Sequence, residues 1–149
     1  MNEFFNVEKM KFIDRFFEYV EYDDIKDDDE YLILDLRTFK EFDYKHLEKS
    51  IHFPLLDDKI SLSLEGMFEN KTYFKTMIKS IYYIIPKLYC INKKIKSLEN
   101  DKKIVLGCRH ARIRSRGIAM FVNILGSNTK VLKFGINNIL NINKKDILK

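Results

Sequence analysis

The sequence predicts an α/β domain with a mainly parallel central sheet flanked by helices. Three observations carry this. The apolar runs YLILDL (31–36), KIVLG (103–107) and TKVLKF (129–134) have the length of buried strands rather than helices. Segments with helical spacing separate them, the alternation expected of parallel strands joined by crossover helices. No Gly/Ser/Pro-rich linker and no internal repeat divides the 149 residues, so 1–149 reads as a single domain with its own core.

The elements follow in order. Apolar residues from Asn6 to Val20 (Val7, Met10, Phe12, Ile13, Phe16, Phe17, Val20) fall near helical spacing and predict a helix. The acidic DDIKDDDE (23–30) is a short helical turn or loop, and YLILDL is the first buried strand. Residues 38–47 (TFKEFDYKHL) predict a short helix with Thr38 as N-cap and Glu41 as its capping-box partner. SIHFP (50–54) is a brief strand stopped by Pro54. A helical insertion is expected around residues 62–98, kinked or broken at Pro86. After the turn ENDK (99–102) come the strand KIVLG, a helix over 115–125 with Gly126 as C-cap, the strand TKVLKF, a turn at Gly135, and a short helix in INNILNI.

Composition narrows the function classes. No run reaches the ~18 apolar residues of a membrane helix, and MNEFFNVEKMKF, with charges inside its apolar pattern, is a poor signal peptide. The two cysteines, Cys90 and Cys108, are too few for a disulfide framework and point to a reducing, cytoplasmic setting. No His/Cys cluster has metal spacing, and no cofactor is expected. The net charge of +5 is uneven: DDIKDDDE is acidic, and the region from Lys93 onward is basic. That half suits a phosphate-rich partner or a solvated lysine-rich surface equally well.

The segment GCRHARIRSRG (107–117) concentrates the chemistry. Cys108 stands where KIVLG ends, and Ser115 opens the following helix. Ligands of open α/β sheets bind beyond strand carboxyl ends, near helix N-termini. Backbone N–H groups of residues 109–115 can form an anion cradle there, aided by the helix dipole. The same N–H array and the guanidinium groups favour thiolate over thiol, and a thiolate is the nucleophile of sulfur, selenium and phosphoryl transfer. Cys108 and Arg114 make C-x5-R, a spacing that lets Arg114 fold back on an oxyanion held over the sulfur. The alternative is an inert cysteine in a basic turn.

The segments DLRTFKEFDYKHLEKSIHFPL and KIVLGCRHARIRSRGIAMFVNILGSNTKVLKFG resemble a rhodanese domain. Asp35, Arg37, Glu41, Phe42, His46, Leu47 and Pro54 stand where that family has D-x-R-x-x-x-E-[FY]-x-x-G-H-[IL] and a later proline. The resemblance implies a rhodanese-like fold. Within the superfamily, C-R-H-A-R-I-R-S is similar to the loop C-W-R-G-G-M-R-S of the rhodanese domain of tRNA 2-selenouridine synthase, as are FPLL and the helical insertion. That likeness implies Cys108 as the selenium- or sulfur-carrying catalytic residue, with Arg109, His110, Arg112, Arg114 and Ser115 binding the anion or substrate. It implies selenophosphate or a persulfide as donor and tRNA as partner, and no membrane. The P-loop motif G-x-x-x-x-G-K-[ST] is absent, so the resemblance implies either half of a split enzyme, with a P-loop ATPase as a separate subunit, or a diverged relative. Four glycines of the family pattern are replaced, by Lys45, Ala111, Arg112 and Phe134, which restricts left-handed backbone there.

Asp35 and Arg37 are expected to be structural, tying a strand end to its neighbouring loops, and His46 to pack and hydrogen-bond. His110 either exchanges protons or faces solvent. Cys90 is expected to be a buried bystander. The tyrosines of the insertion are mostly helix-face core, with one or two able to stack on a base. Two other functions stay open: a rhodanese-fold phosphatase, though the loop lacks an acidic residue, and a degenerate, non-catalytic binding module.

Overall fold

Ile33, Leu34, Ile104, Val105 and Leu106 are almost wholly shielded from water, so the two runs that contain them lie at the centre of the fold. In the computed structural model, which describes residues 12–55, 73–110 and 114–143, these runs are strands β2 (Tyr31–Asp35) and β4 (Lys103–Gly107). Around them stand β1 (Tyr19–Val20), β3 (Ser50–His52) and β5 (Lys130–Leu132), in the order β1-β5-β4-β2-β3. Every pairing is parallel, and β2 and β4 are in register from Tyr31↔Lys103 to Asp35↔Gly107. The expected α/β fold with a parallel sheet is therefore the observed one.

Alternation along the strands divides the core between the two faces of the sheet. Leu34, Ile104 and Leu106 join one cluster with Ile91, Ile95, Ile118 and Val122. Ile33, Val105 and Leu132 join the other with Ile25, Leu47 and Ile136. The first face is covered by helices α3 (Tyr73–Glu99) and α4 (Arg114–Ile124). The second carries the short helices α1 (Tyr22–Ile25) and α5 (Ile136–Ile139). Helix α2 (Phe39–Tyr44) leaves the end of β2 with both halves of its predicted capping box formed by Thr38 and Glu41. Gly126, at φ +94°, follows α4 as its expected left-handed terminator.

Four details differ from what the sequence predicts, the first being that Tyr82 and Tyr89, expected on a core-facing side of the insertion, are exposed. The first predicted helix stops in a 3-10 turn at Asp14–Phe16, and Val20 is strand, because Tyr19 and Val20 pair with Val131 and Leu132 at the sheet edge. Tertiary pairing wins there over an apolar spacing that fits a helix. Helix α3 runs unbroken through Pro86. Pro86 and Tyr82, whose carbonyl loses its helical donor, are both exposed, so water can satisfy that oxygen. Cys90, expected to be buried, is exposed, because it stands about a quarter-turn from the core-facing Ile91. The insertion before Tyr73 and the N-terminal part of the first predicted helix lie outside the described residues. Among those described, no helix is long and apolar enough to cross a membrane.

Candidate functional site

The chain leaves β2 toward β3 and leaves β4 in the opposite direction, toward β5. The carboxyl ends of β2 and β4 thus form the topological switch point, where α/β sheets open a crevice. Cys108 follows β4 there. It is 4% exposed, and its Sγ lies 3.1 Å from Oγ of Ser115, which is fully buried in the first turn of α4. A serine hydroxyl can donate to a sulfur anion or accept from a thiol, so this pairing serves both states of Cys108.

The start of the loop is held from the side of α5. Ile136 N donates to Cys108 O at 2.9 Å, and Asn137 N donates to Arg109 O at 3.1 Å. All described peptides are trans, and in a trans peptide the carbonyl and the next N–H point in opposite directions. The N–H groups of Arg109 and His110 therefore point away from α5. Gly107 permits this arrangement. A Cβ there would meet Ile136 Cδ1 at 2.8 Å, and Ile136 is fully buried.

Asp35 and Arg37 form the buried frame beneath the loop. Arg37 Nη2 lies 2.7 Å from Asp35 Oδ2, Nε contacts both carboxylate oxygens, and neither side chain reaches solvent. The guanidinium also donates to Lys45 O at 2.8 Å and to Asn137 Oδ1 at 3.1 Å. One buried cation thereby ties the end of β2 and the exit of α2 to α5, the helix that orients the Cys108 loop. His46 packs flat on Phe42 at 4.2 Å and bonds Phe42 O through Nδ1.

The loop arginines divide. Arg109 Nε lies 2.7 Å from Glu41 Oε1, while Oε2 of the same carboxylate accepts from Thr38 N and Oγ1. Burial pushes the Glu41 carboxyl up, but Arg109 and the Thr38 donors outweigh it and hold the group below the ordinary glutamate value. Arg116 pairs with Asp14 at 2.5 Å, on the flank of α4. Arg114 is half-buried at the start of α4, and His110 is exposed on the loop. Arg112 lies outside the described residues.

The sequence marks Glu41 as a capping residue and as part of the family pattern, not as a partner of the loop, and it does not mark Asn137. The capping spacing marks Glu41 locally, but nothing local reveals a partner 68 positions away. The replaced glycines differ in cost. Lys45 has φ −164°, extended backbone open to any residue, whereas Phe134 has φ +68° and occupies the left-handed region.

The chain matches the rhodanese-like domain family over residues 18–142. No curated protein matches it. Among solved structures, it is similar to the "N-terminal domain of putative ATP/GTP binding protein from Clostridium difficile 630". That likeness has a TM-score of 0.78 at 22% identity, over 83% of this chain and 97% of that one. Reduced CoADR-RHD from Bacillus anthracis is similar with a TM-score of 0.51 at 15% identity, over 87% of this chain and 17% of that one. At such identities the two structures share the fold with this chain and nothing finer. With the family matched over most of the chain, and Cys108 at the switch point of an all-parallel sheet, this protein belongs to the rhodanese-like domain family.

Proposed function

We propose that this chain carries sulfur or selenium on Cys108 and acts as the rhodanese component of tRNA modification, converting 2-thiouridine to 2-selenouridine with a separate P-loop ATPase subunit. One observation supports the transfer chemistry above others. A single shielded sulfur sits at the sheet switch point, against the first turn of α4, with Ser115 Oγ at 3.1 Å and the carbonyls of Cys108 and Arg109 held by α5.

With a persulfide donor, the Cys108 sulfur attacks the outer sulfur. The donor S–S bond breaks, its thiolate leaves with the electron pair, and a new S–S bond leaves a terminal sulfide anion on Cys108. With thiosulfate as donor the leaving group is sulfite. The N–H groups of the loop and the start of α4 stabilise that terminal anion. Arg114 and Arg112 attract the donor's charge, Arg109 does so from its seat on Glu41, and His110 faces the incoming substrate. In the selenium reading the donor is selenophosphate, a tetrahedral anion suited to a seven-residue cradle rich in arginine: the Cys108 sulfur attacks selenium, the P–Se bond breaks with its electron pair on phosphorus, phosphite leaves, and a selenosulfide anion remains on Cys108.

The tRNA assignment rests on the loop C-R-H-A-R-I-R-S, the FPLL segment and the helical insertion. That the Clostridium difficile domain of similar fold heads a protein described as ATP/GTP binding is in keeping with a nucleotide-binding partner. The phosphatase reading is disfavoured by Glu41. It is the carboxylate paired with the loop among the described residues, and Arg109 holds it ionised, unfit to protonate a leaving group at neutral pH. The test is complementation of a host that lacks tRNA 2-selenouridine, with nucleoside analysis of its tRNA. The wild-type chain with its ATPase partner restores the modified base, and Cys90→Ala does so equally. Restoration by Cys108→Ala would remove the proposal.

A further inference from the structure

Helix α3 is far longer than the sheet it covers. At ~1.5 Å per residue its 27 residues span about 40 Å, whereas the five-residue β4 spans about 16 Å. A three-residue turn separates Glu99 from Lys103, so α3 runs antiparallel to β4. Its C-terminal part, with Ile91, Ile95 and Leu98, packs on the sheet. The part before about Leu88 therefore rises past the carboxyl edge, the edge that carries Cys108. Tyr83, Ile84 and Leu88 pack there against the cluster that contains Cys108 and Leu55.

The outward face of this projecting part is unusual. Ile78, Tyr82, Ile85 and Tyr89, at steps of four, three and four, form one stripe and are 50%, 74%, 57% and 75% exposed. Lys93 and Lys96, both exposed, continue the same face toward the sheet. The helix holds six lysines, and its single acidic residue, Glu99, is its last. A second copy of this helix would bring like charges together. The chemistry that fits a basic face with two protruding phenol rings is a polyanion whose bases can stack.

We infer that the outward face of α3 is a docking surface for a single-stranded segment of RNA, with Tyr82 and Tyr89 as stacking platforms and Lys93 and Lys96 as phosphate contacts. This rests on the tRNA reading of Cys108 and names where the acceptor is held. The tyrosines are seven residues apart, about 10 Å along the axis, which spaces two unstacked bases of an open loop rather than a paired stem. Ile78 and Ile85 stand on the same stripe and add apolar surface beside the rings. A looped RNA held there lies beside the carboxyl edge of the sheet, within reach of a sulfur carried on Cys108.

The test is binding of unfractionated tRNA and of a 12-nucleotide oligouridylate to the full chain, by filter retention over a range of salt. Tyr82→Ala/Tyr89→Ala is expected to weaken binding about 10- to 100-fold with little change in salt slope. Lys93→Gln/Lys96→Gln is expected to lower that slope by about 1.4. All four positions are exposed, so both variants retain the thermal transition and the Cys108 adduct formed with thiosulfate. Unaltered RNA affinity in the tyrosine variant overturns the inference and leaves the chemistry of Cys108 standing. So do tyrosine-dependent binding to phosphatidylserine/phosphatidylcholine vesicles without RNA binding, and tyrosine-dependent dimerisation without RNA binding. A wild-type chain that forms no Cys108 adduct yet binds tRNA through these tyrosines refutes the transfer reading and leaves the surface.

Discussion

Glu41→Gln is the perturbation that best separates the physical account from a mere list of contacts. The glutamate is 1% exposed, and its two oxygens serve different masters: Oε1 holds Arg109, and Oε2 receives Thr38 N and Oγ1. Glutamine has the same shape but one acceptor oxygen. Whichever way its amide turns, the NH2 group faces either the guanidinium or the helix cap, donor against donor. A charge-assisted hydrogen bond contributes about 1.5–3 kcal/mol and a helix N-cap about 1 kcal/mol. Arg109 is partly exposed and recovers some hydration, so the expected loss is about 2 kcal/mol at neutral pH. For a chain of this size that is roughly 6–8 °C in Tm. The loss has a pH signature. The folded carboxyl titrates below its ordinary value, so its stabilisation is complete above the unfolded value of about 4.3 and fades as pH falls through the folded one. Urea unfolding of both proteins should give a gap that is constant from pH 7 to 5 and narrows below about pH 4.3. An unchanged midpoint at pH 7, or a gap that does not narrow in acid, would refute the reasoning.

Other perturbations probe the loop's supports. Asn137→Ala removes the acceptor of Arg37 Nη1 and should slow adduct formation on Cys108 about 10-fold, with rescue by Asn137→Asp, which keeps that oxygen; equal rates in all three proteins would show that Asn137 does not position the loop. Gly107→Ala forces a fully buried Ile136 to move and should cost about 1–3 kcal/mol, seen as a lower urea midpoint. Phe134→Gly relieves a left-handed phenylalanine at the loss of a ring beneath Lys133, for a net gain of about 0.5–1 kcal/mol; a lower Tm would contradict this.

The central elements were legible because their signals are local. YLILDL and KIVLG are short, apolar and bounded by turns, and Thr38 and Glu41 carry the capping spacing whatever lies beyond them. β1 was not legible, since two residues at an edge have no period of their own and become strand only by pairing with Val131 and Leu132. Cys108 was placed correctly after its strand, but the division of labour among the arginines depends on Glu41 and Asp14, 68 and 102 positions away. The glycine replacements looked equivalent in sequence. The backbone separates them, because Lys45 is extended and Phe134 is left-handed.

The proposed chemistry depends on the sulfur at position 108 as the transient carrier. Intact-protein mass spectrometry after brief exposure to thiosulfate, followed by peptide mapping, measures this directly. The expected result is a gain of one sulfur atom located on Cys108, reversed by cyanide and absent from Cys108→Ala, while the exposed Cys90 stays unmodified. A chain that gains no sulfur, or gains it on Cys90, would contradict the central claim.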